Sequence, residues 1–176
     1  MKYKLSFVDF SIEDNFLDQE EFNKLQTLML GNTSFAWVYN DAIDYRGQKD
    51  KFQFTHMFYK EAVPRSPFIE QMNPILNKLN PVSIFRIKAN LLTRTPTIVE
   101  NEFHVDLNDL SEEKLKQWTT SIFYINTNNG YTEFEDGTKV ESVANRIVTF
   151  PANMKHTGTS CTDEKRRVVM NFIYFK

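Results

Sequence analysis

Several residue types are scarce in this chain of 176 residues. Cysteine occurs once, as Cys161. An intramolecular disulfide is therefore excluded, and a reducing, cytoplasmic compartment is the simpler expectation. Cys161 lies in a polar stretch, Thr157 to Lys165, and reads as incidental. A nucleophilic thiol would need a neighbouring base, and His156 is close only in number. Glycine is also scarce, at five residues, whereas phenylalanine reaches 16. Aromatic-rich, glycine-poor strands favour a β-structure with a large apolar interior. Neither sign of charge dominates, and a formal net charge of −2 gives no electrostatic case for nucleic acid or an anionic membrane. No apolar run approaches the length of a membrane span. The opening Met1-Lys2-Tyr3-Lys4-Leu5-Ser6-Phe7 has no apolar h-region or cleavage site. No internal repeat or low-complexity segment suggests a second domain. The expectation is one domain over residues 1–176, with 1–81 as helical support and first strands and 82–176 as the core.

Periodicity sets the order of elements. Residues 4–10 read as a short strand. Asp18 is placed to cap a helix and Glu21 to reach back to it, followed by Phe22, Leu25, Leu28 and Leu30 at roughly helical spacing, with Gly31 as the stop. Ser34 to Tyr39 and Phe52 to Tyr59 read as strands. In the second, His56 shares an aromatic face with Phe52, Phe54 and Phe58, which favours a core or supporting role over metal ligation. Ser66-Pro67 opens a second helix. Pro74 would bend it, or start it anew at Asn73-Pro74. Val82 to Thr93 is the longest strand candidate, with Arg86, Lys88 and Asn90 opposite Phe85, Ile87, Ala89 and Leu91. That polar row faces water or lines a cavity. Residues 94–102 read as an irregular loop, and residues 111–116 as a short helical turn. Strands follow over 119–126, 131–135, 138–143, 146–150 and 167–175, with turn signals at Asn128-Asn129-Gly130 and Asp136-Gly137 read as two hairpins. The pattern is mainly β with supporting helices. It suits a double-stranded β-helix, the jelly roll of cupin-like proteins, with the helices on one outer face.

The chemistry centres on Phe103-His104-Val105-Asp106. On an extended strand His104 and Asp106 point the same way, which supplies two metal ligands. A third ligand has to come from elsewhere; the other two of the three histidines are His56 and His156, the latter fifty residues past Asp106 and followed by a basic, strand-like C-terminus. Two histidines and one carboxylate with open positions form the facial triad of non-haem Fe(II) oxygenases.

Taken together, His104-Val105-Asp106, the segment Asn129-Gly130-Tyr131-Thr132-Glu133-Phe134, Phe150-Pro151, His156 and an arginine opening the last strand resemble a known family. The chain is similar, over residues 82–175, to 2-oxoglutarate- and Fe(II)-dependent dioxygenases of the prolyl 4-hydroxylase-like type, in the layout of small bacterial and phage members. The resemblance implies that His104, Asp106 and His156 hold Fe(II), with dioxygen and 2-oxoglutarate as cosubstrates and ascorbate a further candidate. It implies an arginine anchoring the distal carboxylate of 2-oxoglutarate, for which Arg's bidentate fork is suited. Arg166 and Arg167 compete. Arg167 is preferred because Asn171 stands four positions on, where family members carry a polar residue on the same face; Arg166 has Met170 there. Tyr124 matches a family tyrosine that bonds the same carboxylate, and Asn90 is a further cosubstrate contact.

The implied activity is hydroxylation of a C–H bond of a protein side chain, proline first among them, or of a small molecule, with release of succinate and CO2. Two other readings compete. A non-catalytic cupin-like module binding metal or 2-oxoglutarate would keep the fold. A zinc hydrolase would use similar ligands with water in the open position, but gives Arg167 and Tyr124 no role. The polar loops at residues 40–51, 94–102 and 107–116 are expected to select the substrate. The oligomeric state and whether Arg86 or Lys88 lines the site are not legible.

Overall fold

The computed structural model describes residues 10–43, 51–107 and 110–176. Its elements in chain order are β1 (Ser11–Glu13), α1 (Gln19–Gly31), β2 (Val38–Asn40), β3 (Gln53–Lys60), β4 (Val63–Pro64), α2 (Asn73–Leu79), β5 (Ser83–Thr93) and α3 (Glu112–Leu115). They continue with β6 (Trp118–Tyr124), β7 (Tyr131–Phe134), β8 (Lys139–Glu141), β9 (Ile147–Pro151), β10 (His156–Gly158) and β11 (Arg166–Phe175). The strand expected over residues 4–10 lies, except for Phe10, outside the described residues.

The strands form two antiparallel sheets. The larger runs β1-β9-β6-β11-β5-β3-β2, with β4 added to β3, and the smaller runs β10-β7-β8. The two sheets make the expected double-stranded β-helix. Alternation along the strands decides what each face of the larger sheet meets. One face carries Ile87, Ala89, Leu91, Val168, Met170, Phe172 and Phe123. It packs against Phe22, Leu25 and Met29 of α1 and Ile75 and Leu79 of α2. The opposite face carries Ile122, Tyr124, Val148, Phe150 and Val169, which meet Phe134 and Val140 of the smaller sheet. Polar members of that same inner face, Lys88, Asn90, Arg167 and Asn171, line a cleft between the sheets.

Local details depart from the sequence reading in three places, and at Pro74 they decide between its two alternatives in favour of a new start. Asp18 occupies the position before α1, but its side chain makes no capping hydrogen bond; its carbonyl accepts from the Phe22 amide at 2.9 Å. The buried stripe of α1 is Phe22, Leu25 and Met29, with Leu28 and Leu30 only half-buried. After Ser66 the chain makes a 3-10 turn (Ile69–Met72), and α2 starts anew at Asn73 with Pro74 in its first turn, where no amide donor is needed. Asn128–Gly130 does not close a hairpin. β6 belongs to the larger sheet and β7 to the smaller, so this segment crosses between sheets. The Asp136-Gly137 turn does join β7 to β8, with Gly137 at φ +86°, in the left-handed region glycine tolerates. No helix among the described residues is long and apolar enough to cross a membrane.

Candidate active site

His104 and Asp106 are not on a regular strand, contrary to the sequence reading. The irregular segment from Val99 to Asp106 instead runs as a strap beside β10. The Ser160 amide donates to the Val99 carbonyl, and the Asn101 side chain donates to the Gly158 carbonyl at 2.7 Å. His104 then pairs directly with His156 through reciprocal backbone hydrogen bonds of 3.0 Å. One bridge therefore brings together two histidines far apart in sequence. Their ring centroids are 5.0 Å apart. The loop expected over 94–102 is thus irregular but tied down along this edge.

Each imidazole is oriented by a backbone carbonyl two residues earlier. Nδ1 of His104 lies 3.0 Å from the Glu102 carbonyl, and Nδ1 of His156 lies 3.2 Å from the Met154 carbonyl. A carbonyl can only accept, so Nδ1 carries the proton in both rings and Nε2 carries the lone pair of the neutral form. This is the tautomer in which a histidine binds metal through Nε2, held as such ligands are held by their outer contacts. His156 is buried, and burial lowers its pKa, only partly offset by the neighbouring Asp106 carboxylate; the neutral ligand form is favoured.

Asp106 lies between the His156 ring and the larger sheet. Its Oδ2 is 3.7 Å from His156 Nε2, and Oδ1 accepts from Arg86 Nη2 at 2.6 Å. Asn171 Nδ2 approaches Oδ2 at 3.5 Å, and Asn171 Oδ1 accepts from Asn90 Nδ2 at 3.3 Å. Burial alone would raise the Asp106 carboxyl. Arg86, His156, His104 and Lys88 outweigh it and hold the group well below the usual carboxylate range. The carboxylate stays ionised although its side chain is only 6% exposed. Among the described residues no three His, Cys, Asp or Glu side chains already close around one point. The donor set is nonetheless right for a divalent ion: two Nε2 lone pairs and one anionic oxygen on one wall of the cleft.

Arg167 occupies the other end of the same cleft. It is 2% exposed. Its Nε donates to Ser142 Oγ at 2.7 Å and its Nη2 to Thr132 Oγ1 at 3.1 Å. Its guanidinium carbon stands 5.7 Å from the centre of the Tyr124 ring. Burial pulls its pKa down, yet an arginine remains charged. Among the described residues no carboxylate pairs with it. Space for the side chain is made by two glycines: a Cβ on Gly130 would come within 2.7 Å of Arg167 Cδ, and one on Gly158 within 3.3 Å of Nη1. Arg166 points the other way, and its Nη2 donates to the Leu30 carbonyl of α1 at 2.6 Å.

The remaining sequence candidates fall as follows. Asn90 and Asn171 both line the cleft, side by side, nearer the Asp106 end than the reading as cosubstrate contacts implied. Tyr124 is fully buried behind the wall, and its hydroxyl donates to Thr132 Oγ1 at 2.8 Å. Thr132 is the side chain that reaches the cleft surface, accepting from both Tyr124 and Arg167. Sequence reasoning assigned no role to Thr132, Ser142 or the Arg86–Asp106 pair. The signal for Thr132 was available: it shares inward parity with Phe134 on β7. His56 stacks on Phe35 at 4.1 Å and bonds Ser66 Oγ and the Ala36 carbonyl, away from the cleft. Of the loops expected to select substrate, residues 44–50 and 108–109 lie outside the described residues.

No protein-family sequence model and no curated protein matches this chain. Solved structures do. A viral collagen prolyl hydroxylase from Paramecium bursaria Chlorella virus-1, in complex with 2-oxoglutarate, aligns with a TM-score of 0.60 at 14% identity, covering 95% of this chain and 96% of that one. A prolyl hydroxylase from Trichoplax adhaerens, bound to a hypoxia inducible factor oxygen degradation domain peptide fragment, aligns at 0.65 and 14% identity over 94% and 83%. A non-haem α-ketoglutarate-dependent epimerase from nogalamycin biosynthesis aligns at 0.64 and 12% identity over 95% and 77%. At these identities the likeness establishes a shared fold. It spans hydroxylases and an epimerase, so the fold alone does not fix the reaction.

Proposed function

We propose that this chain is a 2-oxoglutarate- and Fe(II)-dependent dioxygenase that hydroxylates a C–H bond. The observation that carries the reading is Arg167: a guanidinium 2% exposed, without a carboxylate partner among the described residues, in the same cleft as His104, Asp106 and His156. An isolated buried cation is costly and calls for an anion. A bare metal site would not need one.

On this reading His104 Nε2, Asp106 and His156 Nε2 would hold Fe(II), and Arg167 would receive the distal carboxylate of 2-oxoglutarate. Thr132, backed by the Tyr124 hydroxyl, and Ser142 keep the guanidinium aimed into the cleft. Asn171 and Asn90 steady the Asp106 end. Iron with 2-oxoglutarate and dioxygen supplies the oxidising power, and the cosubstrate leaves as succinate and CO2. Ile122, Val169 and Leu92 supply the apolar part of the cleft lining. The substrate class we favour is a protein side chain, proline in the first instance, with small molecules second; the solved neighbours include enzymes of both kinds. A reducing compartment suits the lone, buried Cys161.

Anaerobic titration of Fe(II) into the protein with 2-oxoglutarate should produce the visible metal-to-ligand absorption band of a chelated 2-oxo acid. Absence of the band refutes the assignment. Arg167→Met should weaken 2-oxoglutarate binding by about 2–5 kcal/mol, roughly 30- to 5,000-fold, while leaving metal uptake in place.

A further inference from the structure

Asp106 is a ligand in the reading above, but its ion-pair partner Arg86 has no role there. Arg86 lies on β5, on the inner face with Lys88 and Asn90. Its Nη2 is 2.6 Å from Asp106 Oδ1, and the two side chains are 15% and 6% exposed. Its Nε is buried and has no hydrogen-bond partner among the described residues. The guanidinium therefore forgoes a contact at one nitrogen while keeping the one to Asp106. The two carboxylate oxygens are thus made unequal. Oδ1 is turned to the sheet and taken by a charge-assisted hydrogen bond, whereas Oδ2 is turned toward His156 and Asn171.

We propose that Arg86 is a positioning residue that clamps Asp106 through Oδ1, so that the carboxylate offers a single oxygen to the metal and three positions stay open. The proposal rests on the metal-site reading above. A carboxylate has two oxygens able to bind one cation, and a second bound oxygen would take a position that the two oxygens of 2-oxoglutarate and dioxygen must share. Arg86 also supplies a counter-ion from the fold itself, which allows Asp106 to remain charged and buried. Through Asp106, Arg86 sets how many positions the site keeps open.

Mn(II) is the probe, and the variant is Arg86→Gln, whose shorter side chain does not reach Oδ1. Line broadening of the Mn(II) paramagnetic resonance in oxygen-17-enriched water counts metal-bound waters. The wild type should show three, and Arg86→Gln two, with 2-oxoglutarate binding to the Mn(II) protein weakened about tenfold. Three waters in both proteins would overturn the proposal. If Arg86→Gln does not fold, Arg86→Met fills the same space without a donor or a charge and should also show two.

A second arm uses chelator-treated protein. Arg86→Gln should lower Tm on the order of 10 °C, and adding Asp106→Asn should recover most of that loss, because the uncompensated charge is gone. Strictly additive effects of the two substitutions would overturn the clamp. Should the wild type take up no Mn(II), the oxygenase reading fails, and the stability arm still decides whether Arg86 holds Asp106.

Discussion

Gly130→Ala tests how the site is built into the fold. Gly130 lies where the chain crosses from β6 in the larger sheet to β7 in the smaller. A Cβ there would stand 2.6 Å from the Ser160 carbonyl oxygen, 2.7 Å from Arg167 Cδ and 2.8 Å from Asn128 Oδ1. Gly130 cannot retreat, because its amide donates to Asn128 Oδ1 and its carbonyl accepts from the Ser142 amide, each at 3.0 Å. Ser160 is held in turn by the hydrogen bond its amide donates to the Val99 carbonyl. The side chain that can yield is Arg167, whose hydrogen bonds to Ser142 and Thr132 would then stretch. Overpacking costs about 1–3 kcal/mol, and weakening a buried charged hydrogen bond adds about 1 kcal/mol or more. We expect a loss of about 2–4 kcal/mol in urea unfolding with an unchanged m-value, and roughly tenfold weaker 2-oxoglutarate binding. Two other glycines serve as controls. Gly31→Ala, with nothing within 4 Å of its Cβ, should be near neutral; Gly137→Ala, at φ +86°, should cost about 1 kcal/mol without touching 2-oxoglutarate affinity. If Gly130→Ala behaves like Gly31→Ala in both assays, the packing argument around Arg167 is wrong.

Thr132→Val keeps the shape of the side chain but leaves the Tyr124 hydroxyl and Arg167 Nη2 without their acceptor. Calorimetry should show destabilisation of about 2–4 kcal/mol together with weaker 2-oxoglutarate binding, and Thr132→Ser should restore both; a neutral Thr132→Val would remove Thr132 from the site. His56→Phe removes the contacts to the Ala36 carbonyl and Ser66 Oγ and should cost about 1–3 kcal/mol in chemical unfolding, while Mn(II) affinity stays at the wild-type value. A drop in Mn(II) affinity would make His56 part of the metal site after all.

What the sequence made legible was local or periodic. The alternation over Val82–Thr93 separated Lys88 and Asn90 from Ile87, Ala89 and Leu91, and the structure keeps that division on β5. Pro74 marked the restart of a helix because proline can sit in a first turn but not in an interior. Contacts that depend on which sheet a strand joins were not legible. The Asn128-Asn129-Gly130 turn signal fits a hairpin locally, and its glycine is required by the approach of Ser160 and Arg167, both distant in sequence. His104 and Asp106 share the cleft through the pairing of a strap with β10, not through strand alternation. Arg86 faces its carboxylate across twenty positions of chain, and no local pattern reports such a pair.

Arg166 and Arg167 show how the same alternation serves both the core and the site. Val168, Met170 and Phe172 must face the helices, because they bury against Phe22, Leu25 and Met29 of α1. That requirement fixes Arg167, Val169 and Asn171 on the opposite face, toward the cleft, and turns Arg166 to the carbonyl of Leu30. A one-residue slip of β11 would exchange the two faces, moving the guanidinium out of the cleft and the aliphatic row into it. The face on which the cation stands is therefore set by burial of its neighbours, while the side chain itself still gives up its rotamer freedom to reach Ser142 and Thr132. What burial does not supply is a counter-charge. The two hydroxyls of Ser142 and Thr132 and the face of Tyr124 solvate Arg167 partially, and two glycines leave space around it. A carboxylate entering that space would relieve the remaining desolvation of the guanidinium while forming its own hydrogen bonds. The affinity for such an anion is thus stored in the folding of β11, which is why substitutions that never touch a ligand, Gly130→Ala among them, should be felt in its binding.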